Sequence, residues 1–263
     1  MSKKDEPEGI IERTKCLNFV LVGEVRAGTY PLHTALDSVP TIVSHAHLLH
    51  DDVKLRNKSY TSYFKHFGAP FDPDESSAHY FLQHRIFDRP VHDETIIGVR
   101  LTYDQIRKYD LFDLFKEKTN EGDFCVIHLE RNPLVCFVSN KQAEKSKLFY
   151  QTNKTSNQNI PDKVWIDVEE LAEFVSNHIM IRNKINMLCH DVCRIQYHDM
   201  YFDFETVMTT ILSFLETAEI KTYRPTVKRL ANRTIDERAF QLDKVLAELP
   251  SDLRSEIMSR DLF

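Results

Sequence analysis

Four short apolar runs, each followed by a segment of helical period, constrain the fold of this chain more than any other feature. The first, "LNFVLV" at residues 17–22, ends at Gly23, and "ETIIGVRL" (94–101), "FCVIHL" (124–129) and "CRIQY" (193–197) follow it. Each run has the length of a buried strand. After the first, Pro31 fits a first helical position, with Thr29 or Tyr30 near the cap and Leu32, Ala35 and Leu36 on one face. "TYDQIRKYDLFDLFKEK" (102–118) reads as one amphipathic helix carrying Ile106, Leu111, Leu114 and Phe115. Pro133 opens another that runs to about Tyr150, a long helix around 168–188 precedes the last run, and a further one covers 204–216. This order, strand then helix, predicts an α/β fold: a central parallel sheet flanked by helices, with ligands at the carboxyl ends of the strands.

Length and composition bound the rest. At 263 residues and 42% hydrophobic content the chain buries a full core, and one domain over 15–263 is expected behind a mobile polar tail at 1–14. Residues 50–92, rich in aromatics and histidine, read as an irregular insertion or lid, in which Phe64, Tyr80 and Phe81 are candidate pocket aromatics. Residues 151–163 are the most loop-like stretch. A net charge of −6 spread along the chain gives no basic stripe, which argues against nucleic-acid binding. There is no membrane-span-length apolar window and no leader-like start, so a cytoplasmic protein is expected. The five cysteines form an odd set without metal-ligand spacing. "CHDVC" (189–193) lacks a second matched pair, so these read as buried free thiols and not as a zinc site.

The chemistry is concentrated where the first strand meets its helix. In "GEVRAGTYPL" (23–32) a glycine-containing turn leads from a strand into a helix, an arrangement that aims backbone N–H groups and the positive helix end at one spot. No Lys follows the last glycine, and no G-K-[ST] occurs anywhere in the chain, so neither the cation nor the Mg²⁺ hydroxyl of a Walker loop is present. Arg26 supplies the cation from within the loop, Thr29 a hydroxyl and Gly28 room for close approach. That set suits an anion held without a metal.

A second segment, "FCVIHLERNPLVCFVSNKQA" (124–143), places Arg131 at a strand end, Pro133 at a helix start and Ser139 eight positions after the Arg. The pair R-x-G-T and R-N-P-x₅-S resembles the sulfotransferases that use 3′-phosphoadenosine 5′-phosphosulfate (PAPS). "IIGVRLTYDQI" (96–106) is similar to that family's G-x-K-L-T-Y-x-Q segment, and "RIQYHDMYFDFETVMTTILSFLE" (194–216) to its Y-E-D-L…P…FL segment. The resemblance is closest to bacterial and carbohydrate-type members and extends from about Asn18 to Leu246, with 50–92 unmatched.

The resemblance implies a P-loop nucleotide-hydrolase-like sulfotransferase architecture and transfer of a sulfuryl group from PAPS to an acceptor hydroxyl, with 3′-phosphoadenosine 5′-phosphate (PAP) as product and no metal. It implies that Gly23, Arg26, Ala27, Gly28, Thr29 and Tyr30 form the 5′-phosphosulfate loop, with Arg26 nearest the bridging oxygen. Arg131 and Ser139 are implied to bind the 3′-phosphate, with Lys228 or Arg229 returning to it from the C-terminal segment. The general base is implied at His47, because "AHLLH" (46–50) stands where the family has G-E-L-L-H; His45 and His50 are alternatives. The acceptor is a small molecule, lipid or carbohydrate bearing a hydroxyl, and homodimerisation is left open. Departures from the family loop G-x-P-R-S-G-T-T are Val25, Ala27 and Tyr30, and Glu24 adds a carboxylate that repels phosphate if it faces the anion. A catalytically inactive nucleotide- or protein-binding module on the same fold is the alternative reading.

Overall fold

A computed structural model of the protein describes residues 18–49, 78–87, 95–146, 163–217 and 235–260. The expected tail at 1–14, Phe64, His50, most of the loop at 151–163, and Lys228 and Arg229 lie outside them, as does the 50–92 region except for 78–87.

Five strands form one all-parallel sheet in the order β2-β3-β1-β4-β5: β1 (Asn18–Gly23), β2 (Ile42–His45), β3 (Ile96–Thr102), β4 (Cys125–Glu130) and β5 (Val192–Gln196). Alternation along β1 sends Phe19 and Leu21 to one core layer and Val20 and Val22 to the other, so both faces are buried. On one face α1 (Thr29–Leu36) supplies Leu32, Ala35 and Leu36. Ala78–Tyr80, which we label α2, runs into a π-helical segment, Phe81–Phe87, on the other face. That face also receives α3 (Tyr103–Lys108) and α4 (Phe112–Glu121), with Tyr103, Ile106, Phe112 and Phe115 packed on Val99, Leu101 and Val126. Then come α5 (Pro133–Ser146), α6 (Val168–Leu188), α7 (Tyr197–Phe202), α8 (Phe204–Phe214), α9 (Ile235–Arg238), α10 (Leu242–Glu248) and α11 (Ser251–Met258). A third core layer joins α5 and α6 to α9, α10 and α11.

The parallel α/β fold matches expectation, with corrections in detail. β2 was not foreseen, because "IVSH" (42–45) is a four-residue strand ending in a histidine, too short to show a period. The segment read as one helix over 102–118 is two. Asp110 adopts φ 46, which breaks the helical turn between α3 and α4, and a capping box between Thr102 and Gln105 fixes the start of α3. Pro31 is the third residue of α1, not the first, since Gly28 at φ 96 caps the helix and brings it forward to Thr29. The described part of 50–92 is helical; its Phe81 is core, not pocket, and Tyr80 lies exposed against His84. Cys125, Cys136, Cys189 and Cys193 are free and buried, as expected.

Candidate functional site

The ends of β1, β3, β4 and β5 meet the N-termini of α1 and α5, and the sequence-predicted loop lies at their centre. Its backbone turns at Ala27 N–H to Glu24 carbonyl (3.0 Å), with Arg26 at φ 72 and Gly28 at φ 96. Alternation of these signs curls successive N–H groups to one side. Only glycine fits at 28: a Cβ there would stand 2.8 Å from both the Tyr197 ring and the Met200 Cε methyl.

The Glu24 carboxylate is turned into the protein, 5% exposed, with Oε1 accepting from the Val25 N–H (2.7 Å) and Oε2 3.3 Å from His178 Nδ1 on α6.

Arg26, Arg131 and Ser139 form one hydrogen-bonded cluster. Arg26 Nε donates to Ser139 Oγ (3.2 Å), and Arg131 Nη1 donates to the Arg26 carbonyl (2.7 Å). Arg131 also lies 3.7 Å from the Tyr197 ring centroid, a cation–π contact. Every residue of "ERNP" has a partner that holds this corner. Glu130 accepts from Arg260 Nη1 (2.9 Å), and Asn132 Nδ2 donates to the carbonyls of Ile257 (2.8 Å) and Arg260 (3.2 Å) at the end of α11. Asn132 Oδ1 accepts from Leu134 N–H (3.0 Å), while Pro133 opens α5. Cys136, one turn into α5, sits in the field of Arg131, Glu24, Arg26 and Arg238, but burial dominates and pushes its thiol up to about 12. It is no nucleophile.

Three functional candidates were missed by sequence reasoning. Arg100, at the end of β3 and 7% exposed, donates from Nε to Thr29 Oγ1 (2.8 Å), reaches His47 Nδ1 (3.4 Å) and lies 5.9 Å from the Tyr30 ring. The signal was available, since Arg100 stands at the Lys position of "IIGVRLTYDQI". Arg238, 4% exposed, grips Gln142 Oε1 with Nε (3.0 Å) and Nη2 (2.8 Å), one turn beyond Ser139 on α5. Tyr197 covers Gly28 and Arg131 together; "YHD" at the start of α7 was matched to a family segment without a role.

His47 lies beside the loop, its ring 5.8 Å from Tyr30, with the backbone at φ 61. Arginine offers only donors, so His47 Nδ1 is the acceptor of the Arg100 contact. His33 completes this group. Its Nδ1 pairs with Ser44 Oγ (2.7 Å), and burial first, then Arg100, His47 and His45, lower its pKa to about 3.

A cavity of about 440 Å³ opens against the cluster, lined by Glu130, Arg131, Asn132, Tyr197, Arg260 and neighbouring residues of α7 and α11. Among the described residues no group of His, Cys, Asp and Glu is placed to hold a metal, and no helix is long and apolar enough to cross a membrane.

No family model matches the chain, and no curated protein does. Its likeness is to sulfotransferases of known structure. A sulfotransferase from Alicyclobacillus acidocaldarius is 15% identical, with 93% of this chain and 96% of that one covered and a TM-score of 0.48. Mouse sulfotransferase SULT7A1 complexed with PAP is 14% identical, with 78% and 60% covered and a TM-score of 0.42. The sulfotransferase domain of the Synechococcus olefin synthase is 13% identical, with 82% and 78% covered and a TM-score of 0.47.

Proposed function

We propose that this protein is a sulfotransferase that moves a sulfuryl group from PAPS to an acceptor hydroxyl and releases PAP. The observation that carries this reading is the orientation of Glu24. Its carboxylate is buried against the Val25 N–H and His178, so the loop around Arg26 and Gly28 and the N-terminus of α1 keep their positive face toward an anion.

In this reading the 5′-phosphosulfate sits on Gly23–Tyr30. Arg26 and Arg100 stabilise charge on the bridging oxygen as its bond to sulfur breaks, and Thr29, held by Arg100, orients the loop. Arg131 and Ser139 take the 3′-phosphate, aided by Lys228 or Arg229 from the C-terminal segment, and the nucleoside occupies the cavity beside Tyr197. The acceptor oxygen forms the new bond to sulfur and gives its proton to His47 Nδ1, where the hydroxyl replaces the long 3.4 Å contact with Arg100. The metal-free chemistry rests on arginines and backbone dipoles. The acceptor is a small molecule, lipid or carbohydrate hydroxyl, and the reaction is assigned to the cytoplasm.

Calorimetric titration with PAP tests the binding half, with a dissociation constant in the micromolar range expected; no heat at tenfold higher protein and ligand refutes both the transferase and the nucleotide-binding module. Turnover on a panel of hydroxyl acceptors tests the rest. Arg26→Ala and His47→Ala are each expected to lower kcat by about 10²–10³-fold. PAP binding with no turnover on any acceptor would instead favour the inactive nucleotide-binding module.

A further inference from the structure

His178 is 1% exposed, and neither of its ring nitrogens has a hydrogen-bond partner among the described residues. Burying an imidazole in this way is costly unless something else holds it there. The carboxylate beside it is that of Glu24: Nδ1 stands 3.3 Å from Oε2, close but not aligned as a hydrogen bond. Tyr103 meets His178 edge-on at 5.2 Å and Phe174 lies 6.4 Å away, so aromatic rings pack around the imidazole. Glu24 itself has a single hydrogen bond to its carboxylate among those observed, from the adjacent Val25 N–H, and its carbonyl closes the turn of the loop.

We infer that His178 is a positioning residue for anion binding: it keeps the Glu24 carboxylate buried beside it on α6, away from the anion, and so permits a phosphosulfate to bind where an acidic residue follows the strand. The inference rests on the PAPS reading and adds to it a residue 154 positions away in the chain that touches no nucleotide atom. Without His178 the carboxylate loses the group that holds it in place and turns toward the anion, which it repels. With the carboxylate neutralised as well, the need for His178 disappears.

This dependence is what the test exploits. PAP is titrated calorimetrically into wild type, His178→Leu, Glu24→Gln and the double variant, with thermal unfolding measured on the same samples. The expected result is a loss of PAP affinity of at least about tenfold in His178→Leu, with most of it regained in His178→Leu/Glu24→Gln. A merely structural His178 gives a loss that Glu24→Gln does not restore, and that outcome overturns the inference while leaving the sulfotransferase reading in place. Undiminished affinity in His178→Leu overturns it equally. If wild type binds no PAP, the PAPS reading falls and takes this inference with it. Should His178→Leu fail to fold, the same rescue is measured on His178→Phe, which keeps the ring volume but no donor, and the same outcomes decide.

Discussion

Histidines lie on both sides of the anion loop, and the two sides treat them in opposite ways. Toward β2 and β3, His33 and His47 face a cation, Arg100, which also binds Thr29 of the loop. Toward β4 and α6, His178 and His128 face carboxylates: Glu24 at 3.3 Å and Glu130 at 3.8 Å. On that second side Glu130 is joined to Arg260, and Arg260 to Glu256, which Arg182 also contacts. Burial lowers the pKa of His33 and of His128 alike, but the neighbouring charge then pulls in opposite directions: Arg100 takes His33 further down, whereas Glu130 draws His128 up. The first arrangement leaves positive charge at the mouth of the loop. The second removes negative charge from it.

Replacing Arg100 should produce the largest effect. Arg100→Ala removes the buried cation that touches both the loop and His47, and kcat is expected to fall about 10²–10³-fold, as when a preorganised charge donor is deleted. Arg100→Lys keeps the charge but loses the fork that spans Thr29 and His47, so it should recover only part of the loss. Steady-state turnover at saturating PAPS measures both. If Arg100→Ala retains turnover, the cationic side has no part in the chemistry and the contrast between the two sides loses its functional meaning.

The same contrast shows which parts of the molecule were legible in sequence. The strands β1, β3 and β4, largely apolar and buried on both faces, the alternating β5 and the long helix α6 were readable because burial or a sustained period leaves a local trace. Arg26, Gly28, Arg131 and Ser139 were found because each belongs to a short motif, and folding brings those motifs into one cluster. Glu24 was seen, but its direction was not, since that depends on His178, far away on α6, with no local pattern to announce it. Arg100 was quoted within a motif yet given no role, because a lone arginine at the end of a buried strand has no periodicity to mark its contacts. The short strand β2 and the break at Asp110 were decided by tertiary packing and a single backbone conformation.

An intermediate effect is expected from pH. Burial, with Arg100 and the other histidines, lowers the pKa of His33 to about 3, and burial lowers that of His128 to about 4 against the upward pull of Glu130 and Asn186. Both values lie below the ordinary 6.5, so as pH falls the unfolded chain takes up protons that the folded chain refuses. Stability is therefore fully present above about pH 6.5 and declines as pH falls toward 4, by roughly 2 kcal/mol per histidine at pH 4.5. Urea unfolding between pH 7.5 and 4.5 measures this. NMR titration of the ring resonances separates the two sides: Arg100→Ala should raise the His33 pKa, whereas Glu130→Gln should lower that of His128. Shifts of the same sign would abolish the distinction.

The smallest effect is expected at Tyr103, whose hydroxyl donates to His128 across 2.6 Å. Burial raises the pKa of Tyr103 well above its usual value, and Glu24 and Glu130 raise it further, so the phenol stays protonated and acts as the donor. His128 Nε2 must then be the acceptor, which leaves the ring proton on Nδ1, facing Asn186 Oδ1 at 3.2 Å and Glu130 Oε1 at 3.8 Å. Tyr103→Phe leaves Nε2 unpaired in a site without water access, at a cost of about 1–2 kcal/mol in urea unfolding. The ring that meets His178 edge-on is retained, so Glu24 stays in place and PAP affinity and turnover should match wild type. A loss of turnover beyond tenfold, with stability unchanged, would mean that the carboxylate side takes part in the reaction and that the two sides do not divide chemistry from support.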